Sequence, residues 1–406
     1  MTQTKVEAPF VENNANFRNL LINGDMKISQ RNASVSSHSA DTYVNIDRWK
    51  TRVNNQGVFT VSKSTTVPTG EGFVSSQKWD CTTADASPAS TDYIIYQQAI
   101  EAQNLQHLAY GTSGAKKLTL SFHVRSNKTG AYTVGFYSED GTRHIESSYT
   151  ISSADTWEKK IITFAGDTGG TINNDNGEGL RVWFWLGAGS NFSSGTHATS
   201  WAAYSQANVL VDNQVNIADN TANEWYITGI QLEVGDDASD FEHLPNDVQM
   251  NRCLRYCVAL NSNAGDQRLN PDAAYICNAF MYNASTMIGV LHLPVPMRVE
   301  PSINSSDATD SFQFYRSNSS GTGQGDALDN LLLSASSSRV TVGVYNSTDA
   351  SGPTIVSVVP DTVKLVVGFC TTLLITTKRA DSLKGVLLNV NVVALPSPVK
   401  LSVVKP

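Results

Sequence analysis

The sequence contains few charged residues. Lys, Arg, Asp and Glu make up 16% of its 406 residues, against about 25% in ordinary soluble domains. The formal net charge is −8, and no run rich in Lys or Arg offsets it. Because binding to a nucleic-acid backbone needs clustered positive charge, we expect no nucleic-acid partner.

A long apolar run and a secretion signal are also lacking. One of the longest apolar stretches, 363–374, is broken by Lys364 and by threonines. It is well short of the roughly 20 residues that a membrane helix needs. The N-terminal residues have no basic-then-apolar pattern. We therefore expect no membrane insertion and synthesis in a cytoplasm.

Cysteine and histidine are scarce, with five and seven in the chain. Five scattered cysteines are too few for a disulfide scaffold. Cys253 and Cys257 could share one helix face, and we interpret them as a half-buried apolar pair because no second Cys/His pair lies nearby. The sequence has no Gly-x-Ser-x-Gly, His-Glu-x-x-His or phosphate-loop motif, so we expect no enzymatic activity.

One loop has the composition of a calcium site. Residues 173–179 (NNDNGEG) place Asp175 and Glu178 around a tight glycine turn, and calcium loops use oxygen ligands in such a setting. A plain surface turn rich in Asn and Gly explains the same residues, and we prefer that interpretation. Structural calcium is the alternative, and no other cofactor is indicated.

Short stretches of alternating apolar and polar residues dominate the chain. In Leu118–Val124 every second residue is apolar, which is typical of a strand with one buried face. Further predicted strands are Val58–Ser62, Tyr93–Gln98, Ala131–Tyr137, Lys159–Phe164, Leu180–Leu186, Asn208–Asp212 and Trp225–Val234. Turn residues separate them without a βαβ rhythm. The prediction is an all-β fold: an antiparallel jelly-roll sandwich, a short connector helix and a second, smaller β-sandwich domain.

A helical segment divides the sequence. Residues 246–259 carry apolar side chains near helical spacing, and Asn246 can cap their start. All seven tryptophans precede this segment. The predicted organisation is an N-terminal arm (1–18), a jelly-roll domain (19–245), a connector helix (246–259) and a C-terminal β domain (260–406).

Within the C-terminal domain, the apolar segments Val340–Val344, Thr354–Val359 and Ala380–Leu395 predict strands. Asn304–Asp329 is polar and rich in Gly, Ser and Asp. This composition predicts a long surface loop or a fringe between strands.

Six short motifs occur in order along the chain. They are Asn19–Arg31 (NLLINGDMKISQR), Asp47–Trp49 (DRW), Gln231–Gly235 (QLEVG), Asp240–His243 (DFEH), Asn251–Tyr256 (NRCLRY) and Leu293–Pro301 (LPVPMRVEP). The ordered set resembles a family of bacteriophage virion proteins, often described as tail fibres or tail-associated structural proteins. The resemblance spans about residues 19–301.

The resemblance implies a large domain similar to a carbohydrate-binding-module jelly roll, in a protein of the phage particle that is assembled in the bacterial cytoplasm. It also implies a homotrimer. The arm, polar with isolated Phe10, Val11 and Phe17, would dock on other virion proteins. The leading expectation is a non-catalytic tail fibre or tail-attached receptor-binding component. The alternatives are a head decoration or capsid fibre protein and, in a different class, a glycan depolymerase.

The sequence offers one aromatic candidate for glycan binding. Arg181, Trp183 and Trp185 share one face of a predicted strand, while the residues between them would face the core. An exposed aromatic ladder could bind host cell-surface polysaccharide. Packing under a loop or at a subunit interface is the alternative, which we prefer. Trp201 and Tyr204, in a loop-like segment, are the next candidates.

Two of the motifs predict structure rather than function. We expect Trp49 in the core, with Asp47 and Arg48 bracing the end of a strand. We also expect the Asn-Gly-Asp turn and the Gln-Leu-Glu strand to bring the first and last strands into one sheet.

Overall fold

The structure, a computed structural model, describes residues 17–259, 277–283, 286–304, 312–316, 324–327, 330–336, 339–345, 356–360, 364–366, 391–393 and 398–400. The chain divides into two compact units, residues 1–249 and 250–406. The domain boundaries drawn from the sequence stay predictions. Within the described ranges, no helix has the length and apolar character of a membrane span.

The described part of the first unit, residues 17–249, contains thirteen strands. In chain order they are β1 (Ser34–His38), β2 (Asp41–Thr42), β3 (Lys50–Asn54), β4 (Val58–Ser64), β5 (Ser76–Thr83), β6 (Tyr93–Glu101), β7 (Leu118–Ser126), β8 (Gly130–Ser138), β9 (Arg143–Ile151), β10 (Glu158–Phe164), β11 (Glu178–Ala188), β12 (Ala202–Ala203) and β13 (Glu224–Val234). Short 3-10 helices cover Ala102–Leu108, Ser190–Phe192 and Gln206–Asn208.

These strands form two antiparallel sheets. Sheet A has six strands in the order β1-β4-β5-β13-β7-β10, and sheet B has seven in the order β12-β9-β8-β11-β6-β3-β2. Neighbours within each sheet are often distant in sequence, as in a jelly roll. The predicted antiparallel sandwich is therefore confirmed.

The core between the sheets is largely aromatic. Trp49 stacks on Tyr96 with their ring centroids 5.0 Å apart, and Phe122 meets Phe184 edge to face at 5.1 Å. In β7 the four apolar residues at positions 118, 120, 122 and 124 are fully buried. The period of two that predicted this strand therefore places its apolar face in the core.

The polar face of β7 is also buried. Thr119, Ser121 and His123 are each less than a tenth exposed, although the alternation suggests a strand with one buried face. Glu71 and His243, from segments outside the strands, lie close to His123 on this face. Loops over sheet A thus explain why the alternation understates the burial of β7.

Two sequence predictions need correction. Asn208–Asp212 is not a strand, because Asn208 ends a 3-10 helix and the residues after it form turns. The connector helix is shorter than expected: α1 spans Asn246–Leu254, and Cys257–Ala259 is a strand. The Cys-Val-Ala sequence is apolar and has no Gly, so it suits a paired strand as well as a helical turn. The spacing of apolar residues alone therefore could not distinguish a strand from a helix here.

The described part of the second unit is also built from antiparallel strands. They are β14 (Cys257–Ala259), β15 (Cys277–Asn283), β16 (Thr286–His292), β17 (Ser302–Asn304), β18 (Phe312–Arg316), β19 (Gln324–Ala327), β20 (Asn330–Ser336), β21 (Arg339–Tyr345), β22 (Val356–Pro360), β23 (Lys364–Val366), β24 (Asn391–Val393) and β25 (Pro398–Lys400). A seven-stranded sheet has the order β19-β18-β22-β15-β16-β21-β20, and smaller sheets join β14-β23-β17 and β24-β25.

The predicted strand Val340–Val344 lies within β21, and β22 overlaps Thr354–Val359. The predicted loop Asn304–Asp329 is wrong in part, because it contains the paired strands β18 and β19. Aromatic residues in β18 suit a strand despite the polar segments around it. Ala380–Leu395 lies outside the described residues except where β24 begins.

The Asn19–Gly24 segment binds directly to the last strand of the sandwich. β5 pairs with β13 only as far as Ile227. Beyond that point, the Leu20 amide donates to the Leu232 carbonyl at 2.9 Å, and the Ile230 amide donates to the Gly24 carbonyl at 3.0 Å. Two motifs far apart in sequence are thus joined by backbone hydrogen bonds.

Asn23 and Trp49 connect this segment to the core. Asn23 has a left-handed φ of 59°, a conformation that Asn tolerates better than most residues. Its side-chain amide donates to the Ile28 and Asp47 carbonyls, and its own carbonyl accepts the Trp49 indole N–H at 3.1 Å. Trp49 is fully buried, as predicted.

Asp47 and Arg48 hold the chain around this tryptophan. The Asp47 carboxylate accepts the Gln30 amide N–H at 3.0 Å and lies 3.5 Å from an Arg31 guanidinium nitrogen. The Arg48 guanidinium donates to the Ala99 carbonyl. The Asp-Arg-Trp motif is therefore a structural element of the sandwich.

Gly24 allows the close approach to β13. A Cβ atom at this position would lie 2.0 Å from the Ile230 carbonyl oxygen. We expect Gly24→Ala to lower the free energy of unfolding by about 3 kcal/mol, because a backbone atom cannot move aside cheaply. Urea unfolding of the purified protein measures the change.

Gly114→Ala is the matched control, because its Cβ would meet nothing nearer than Thr112 at 3.7 Å. That variant should stay within about 0.5 kcal/mol of the parent protein. Equal stability of the two variants would contradict the role assigned to Gly24.

Candidate functional site

The outer face of sheet B carries the residues that the sequence pattern singled out. Trp183 lies between Gln97 on β6 and Gly135 on β8, and Arg181 lies opposite Tyr137. Residues 182, 184 and 186, which alternate with them, are buried in the core between the sheets. The assignment of the two faces of β11 from the alternation is therefore confirmed.

The hypothesis of an exposed tryptophan ladder is wrong, and the preferred interpretation of buried indoles fits the structure. Trp183 is 3% and Trp185 is 1% exposed. Trp185 packs against Phe192 with ring centroids 5.1 Å apart, and Val209 and Leu210 complete the same apolar cluster. The segment between β11 and β13 folds back over this face, so the packing-under-a-loop alternative describes both indoles.

A buried carboxyl group holds the Trp183 indole. The indole N–H lies 3.2 and 3.0 Å from the two Glu146 carboxyl oxygens, and His144 Nδ1 is 3.1 Å from one of them. The Ser205 amide donates to His144 Nε2 at 3.4 Å, which assigns the ring proton to Nδ1. His144 therefore donates to Glu146.

Burial sets the charge of both groups. It raises the pKa of Glu146 well above its ordinary value, and it lowers the pKa of His144 to about 4. Gly135 leaves the space for this arrangement, because a Cβ there would lie 1.9 Å from a Glu146 oxygen. Burial thus favours the uncharged form of both groups in the hydrogen-bonded floor of the face.

Above this floor lies a set of residues that we name the sheet B platform: Arg52, Tyr137, Arg181 and Tyr204. The Arg181 guanidinium stacks over the Tyr137 ring at 5.2 Å, and Tyr204 meets Tyr137 edge to face at 5.2 Å. Tyr204 is 36% exposed. Burial raises the pKa of Tyr204, while the Arg52 and Arg181 guanidiniums act in the opposite direction. The other three side chains therefore all lie within electrostatic reach of Tyr204.

Carboxylates position the two guanidiniums. Arg181 lies 2.7 Å from Glu178 and 3.2 Å from Glu139, and Arg52 lies 2.8 Å from Asp41. Each Arg keeps further N–H donors in its planar group. The platform thus combines aromatic edges and faces with oriented N–H donors. Tyr137 carries no local motif and was missed in the sequence, because only strand pairing places it opposite Arg181. Arg52 was missed for a similar reason, since it lies on β3, two strands from β11 in sheet B.

Trp201 lies apart from the platform. It is half-buried, and its indole donates to the Ala165 carbonyl at 2.7 Å. Its ring packs edge to face on Tyr110 at 5.7 Å. Of the five predicted glycan-binding residues, the structure therefore brings only Arg181 and Tyr204 to the exposed surface of the platform.

The two predicted calcium ligands have other partners. The Asp175 carboxylate accepts the Gly177 amide at 2.8 Å, and Glu178 pairs with Arg181. The preferred interpretation of a surface turn fits these contacts. Among the residues that the structure describes, no group of three His, Cys, Asp or Glu side chains could hold a metal ion.

Of the three predicted docking residues, Phe17 lies within the described part of the chain. Phe10 and Val11 lie outside the described residues. The Phe17 side chain is exposed, and its amide donates to the Glu242 carboxylate at 2.5 Å. Arg18 pairs with Glu233 at 3.2 Å, so residues 17 and 18 belong to the sandwich rather than to a free arm.

No family model and no curated protein matches the chain. Among solved structures, it is similar to the enzymatically active domain of tailspike protein 4 from bacteriophage CBA120, with 13% identity and a TM-score of 0.30 over 54% of this chain. It spans only 22% of that tailspike domain.

Two carbohydrate-binding modules are also similar. One is the family 11 module from Clostridium thermocellum, solved with a mixed-linked β-1,3-1,4 tetrasaccharide, with 11% identity, a TM-score of 0.26, and 50% of this chain and 99% of the module covered. The other is a xylan-binding domain from Paenibacillus barcinonensis, with 8% identity, a TM-score of 0.23, and coverages of 50% and 94%. TM-scores this low carry no inference about what this chain binds.

The buried carboxyl of Glu146 predicts a specific pH dependence. Because its folded pKa is raised, the group is protonated in the folded protein and ionised in the unfolded chain above its ordinary value of 4.5. Unfolding then releases a proton, so the free energy of unfolding falls as the pH rises above that value. We expect Glu146→Gln to remove this pH-dependent loss of stability, because Gln does not ionise and its side-chain oxygen can accept the same two hydrogen bonds.

Thermal unfolding from about pH 5 to about pH 8 measures this effect. The variant should gain stability relative to the parent protein as the pH rises. The lowered pKa of His144 acts in the opposite direction, because it makes the folded protein lose stability as the pH falls below the ordinary His value of 6.5. Parallel stability curves would contradict a neutral Glu146.

Proposed function

We propose that this protein is a non-catalytic structural component of a phage particle that binds host surface glycans through the sheet B platform. The arrangement of the exposed Tyr204 with Tyr137 and the partly exposed Arg181 carries the proposal. Tyrosine rings offer apolar faces to the CH groups of a sugar and hydroxyl groups to its oxygens. Guanidiniums held by carboxylates donate to several hydroxyls with little loss of side-chain freedom.

The charge pattern of the platform favours binding over hydrolysis. Glycoside hydrolysis ordinarily needs one carboxylic acid and one carboxylate on opposite sides of the scissile bond. Glu178 and Glu139 both pair with Arg181, and Glu146 is buried beneath Trp183. These contacts support a carboxylate set that positions the platform rather than one that attacks a sugar.

The place in the particle rests on the ordered sequence motifs. We propose a tail fibre or a tail-attached receptor-binding component, with the N-terminal arm docking on other virion proteins. The alternative is a head decoration or capsid fibre protein.

Glycan binding is tested on an array of bacterial surface polysaccharides and their oligosaccharides. Tyr204→Ala and Arg181→Ala should each weaken binding at least about tenfold, because each removes platform contacts that lie outside the core between the sheets. Trp185→Ala is unsuitable as a binding variant, since it would leave a cavity in a buried cluster.

Arg125→Ala is the matched control for the platform. Arg125 stacks over Tyr226 at 5.0 Å and pairs with Asp155, but this pair lies on sheet A. Its removal should leave glycan binding unchanged. Array binding that is insensitive to both platform variants would contradict the proposed site, and new reducing ends released from a bound polysaccharide would contradict the non-catalytic role.

The homotrimer is tested by light scattering. We expect a mass near three times 43.9 kDa, both in the full chain and after removal of residues 1–16. The truncation stops before Phe17 and Arg18, because their contacts with Glu242 and Glu233 belong to the sandwich. A monomer in both forms would contradict the trimeric fibre and favour a decoration subunit.

A further inference from the structure

A separate pocket opens on the outer face of sheet A. Its floor is formed by Ser121 and His123 on β7, and the exposed Lys159 on β10 lies at its rim. Glu71 and Gly70 from the loop between β4 and β5 form one wall, and Asp240, Phe241 and His243 from the segment after β13 form the other. The volume is about 270 Å³. This is just under the roughly 300 Å³ at which pockets for drug-sized ligands begin.

A β-bulge shapes the floor of the pocket. β13 pairs with β7 at Thr228–His123 and again at Gln231–Ser121, so residues 229 and 230 interrupt the ladder. Gly229 has a φ of 62°. A Cβ there would lie 2.5 Å from the Phe73 ring and 3.0 Å from His123 Nδ1. Only glycine lets His123 and Phe73 lie where they do.

His123 is a buried polar group without a satisfied hydrogen bond. It is 6% exposed. Its Nδ1 has no hydrogen-bond partner among the described residues, and its Nε2 lies 3.8 Å from a Glu71 oxygen, beyond hydrogen-bond length. An oxygen atom placed between Nε2 and Glu71 could bond to both. Burial lowers the pKa of His123, which keeps the ring neutral and able to donate through one nitrogen only.

An aromatic wall stands beside this polar floor. Phe241 meets Phe73 at 5.0 Å and His243 at 4.9 Å, both edge to face. Glu71 and His243 are also joined, because the Glu71 carbonyl is 3.2 Å from His243 Nε2. The pocket thus has an apolar wall together with hydrogen-bond donors and acceptors. An apolar wall can pack on one face of a sugar ring, and the donors and acceptors can bond to its hydroxyls.

We propose that this pocket binds a single neutral pyranose unit, at a site separate from the sheet B platform. The two carboxylates, Glu71 and Asp240, outnumber the one ammonium group of Lys159, so the charge disfavours a uronic acid or a phosphate. Glu71 accepts from a hydroxyl that His123 also contacts, and Lys159 donates to a second one.

Saturation-transfer NMR with glucose, galactose and mannose tests the pocket directly. At least one hexose should bind, and Glu71→Gln and Lys159→Ala should each weaken it about tenfold. Both side chains are exposed, so neither change should unfold the protein. The ¹⁵N resonances of His123 should move on binding in the parent protein.

Lys117→Ala is the matched control, because Lys117 is an exposed lysine paired with Asp236 outside the pocket. It should leave hexose binding unchanged. Failure of every hexose to bind, or preferred binding of glucuronate or inorganic phosphate, would overturn the proposal. A third outcome is that Arg181→Ala abolishes hexose binding while Glu71→Gln retains it. The sugar would then bind at the platform, which would contradict the pocket proposal and leave the proposed function intact.

Discussion

The irregularity of β13 at Gly229 and Ile230 is the constraint on which much of the first unit depends. β5 ends its pairing at Ile227, and the bulge turns the next backbone groups away from the regular ladder. The Ile230 amide and carbonyl are then satisfied by Gly24 and by the Asn19 side chain. Since a buried backbone group without a partner is costly, the bulge and the Asn19–Gly24 segment require each other. The same bulge opens the outer face of sheet A around His123.

Residues of the sequence motifs make the hydrogen bonds around this bulge. Gln231 and Glu233 of the Gln-Leu-Glu motif lie just after the bulge, where Gln231 accepts the Glu242 amide at 2.7 Å and Glu233 accepts the Ser239 amide at 3.0 Å. Glu242 in turn accepts the Asn19 amide at 3.1 Å. Residues from three motifs therefore meet in one hydrogen-bonded region. The motifs thus describe how the sandwich closes.

The strands that the sequence predicted best have one face in the core. Alternation placed residues 182, 184 and 186 correctly inside, because the core sorts side chains by period. It failed for the opposite faces. Trp183 and Trp185 are buried because a long segment returns over sheet B, and His123 is buried because loops cover sheet A. The loops that cover these faces show no repeating pattern in the sequence. The burial of the two indoles and the grouping of Arg52 with Arg181 in the platform therefore could not be derived from the local sequence pattern.

The two outer faces of the sandwich share one physical design. In each, a titratable group, Glu146 on sheet B and His123 on sheet A, is buried beneath charged side chains, and burial favours its uncharged form. A neutral floor avoids the cost of burying a charge, while the rim can exchange its water for the hydroxyls of a ligand. Arg181, Lys159 and Glu71 all lie at such rims. Substitutions in the rims should therefore change recognition with little effect on folding, whereas substitutions in the floors change the stability of the sheets themselves.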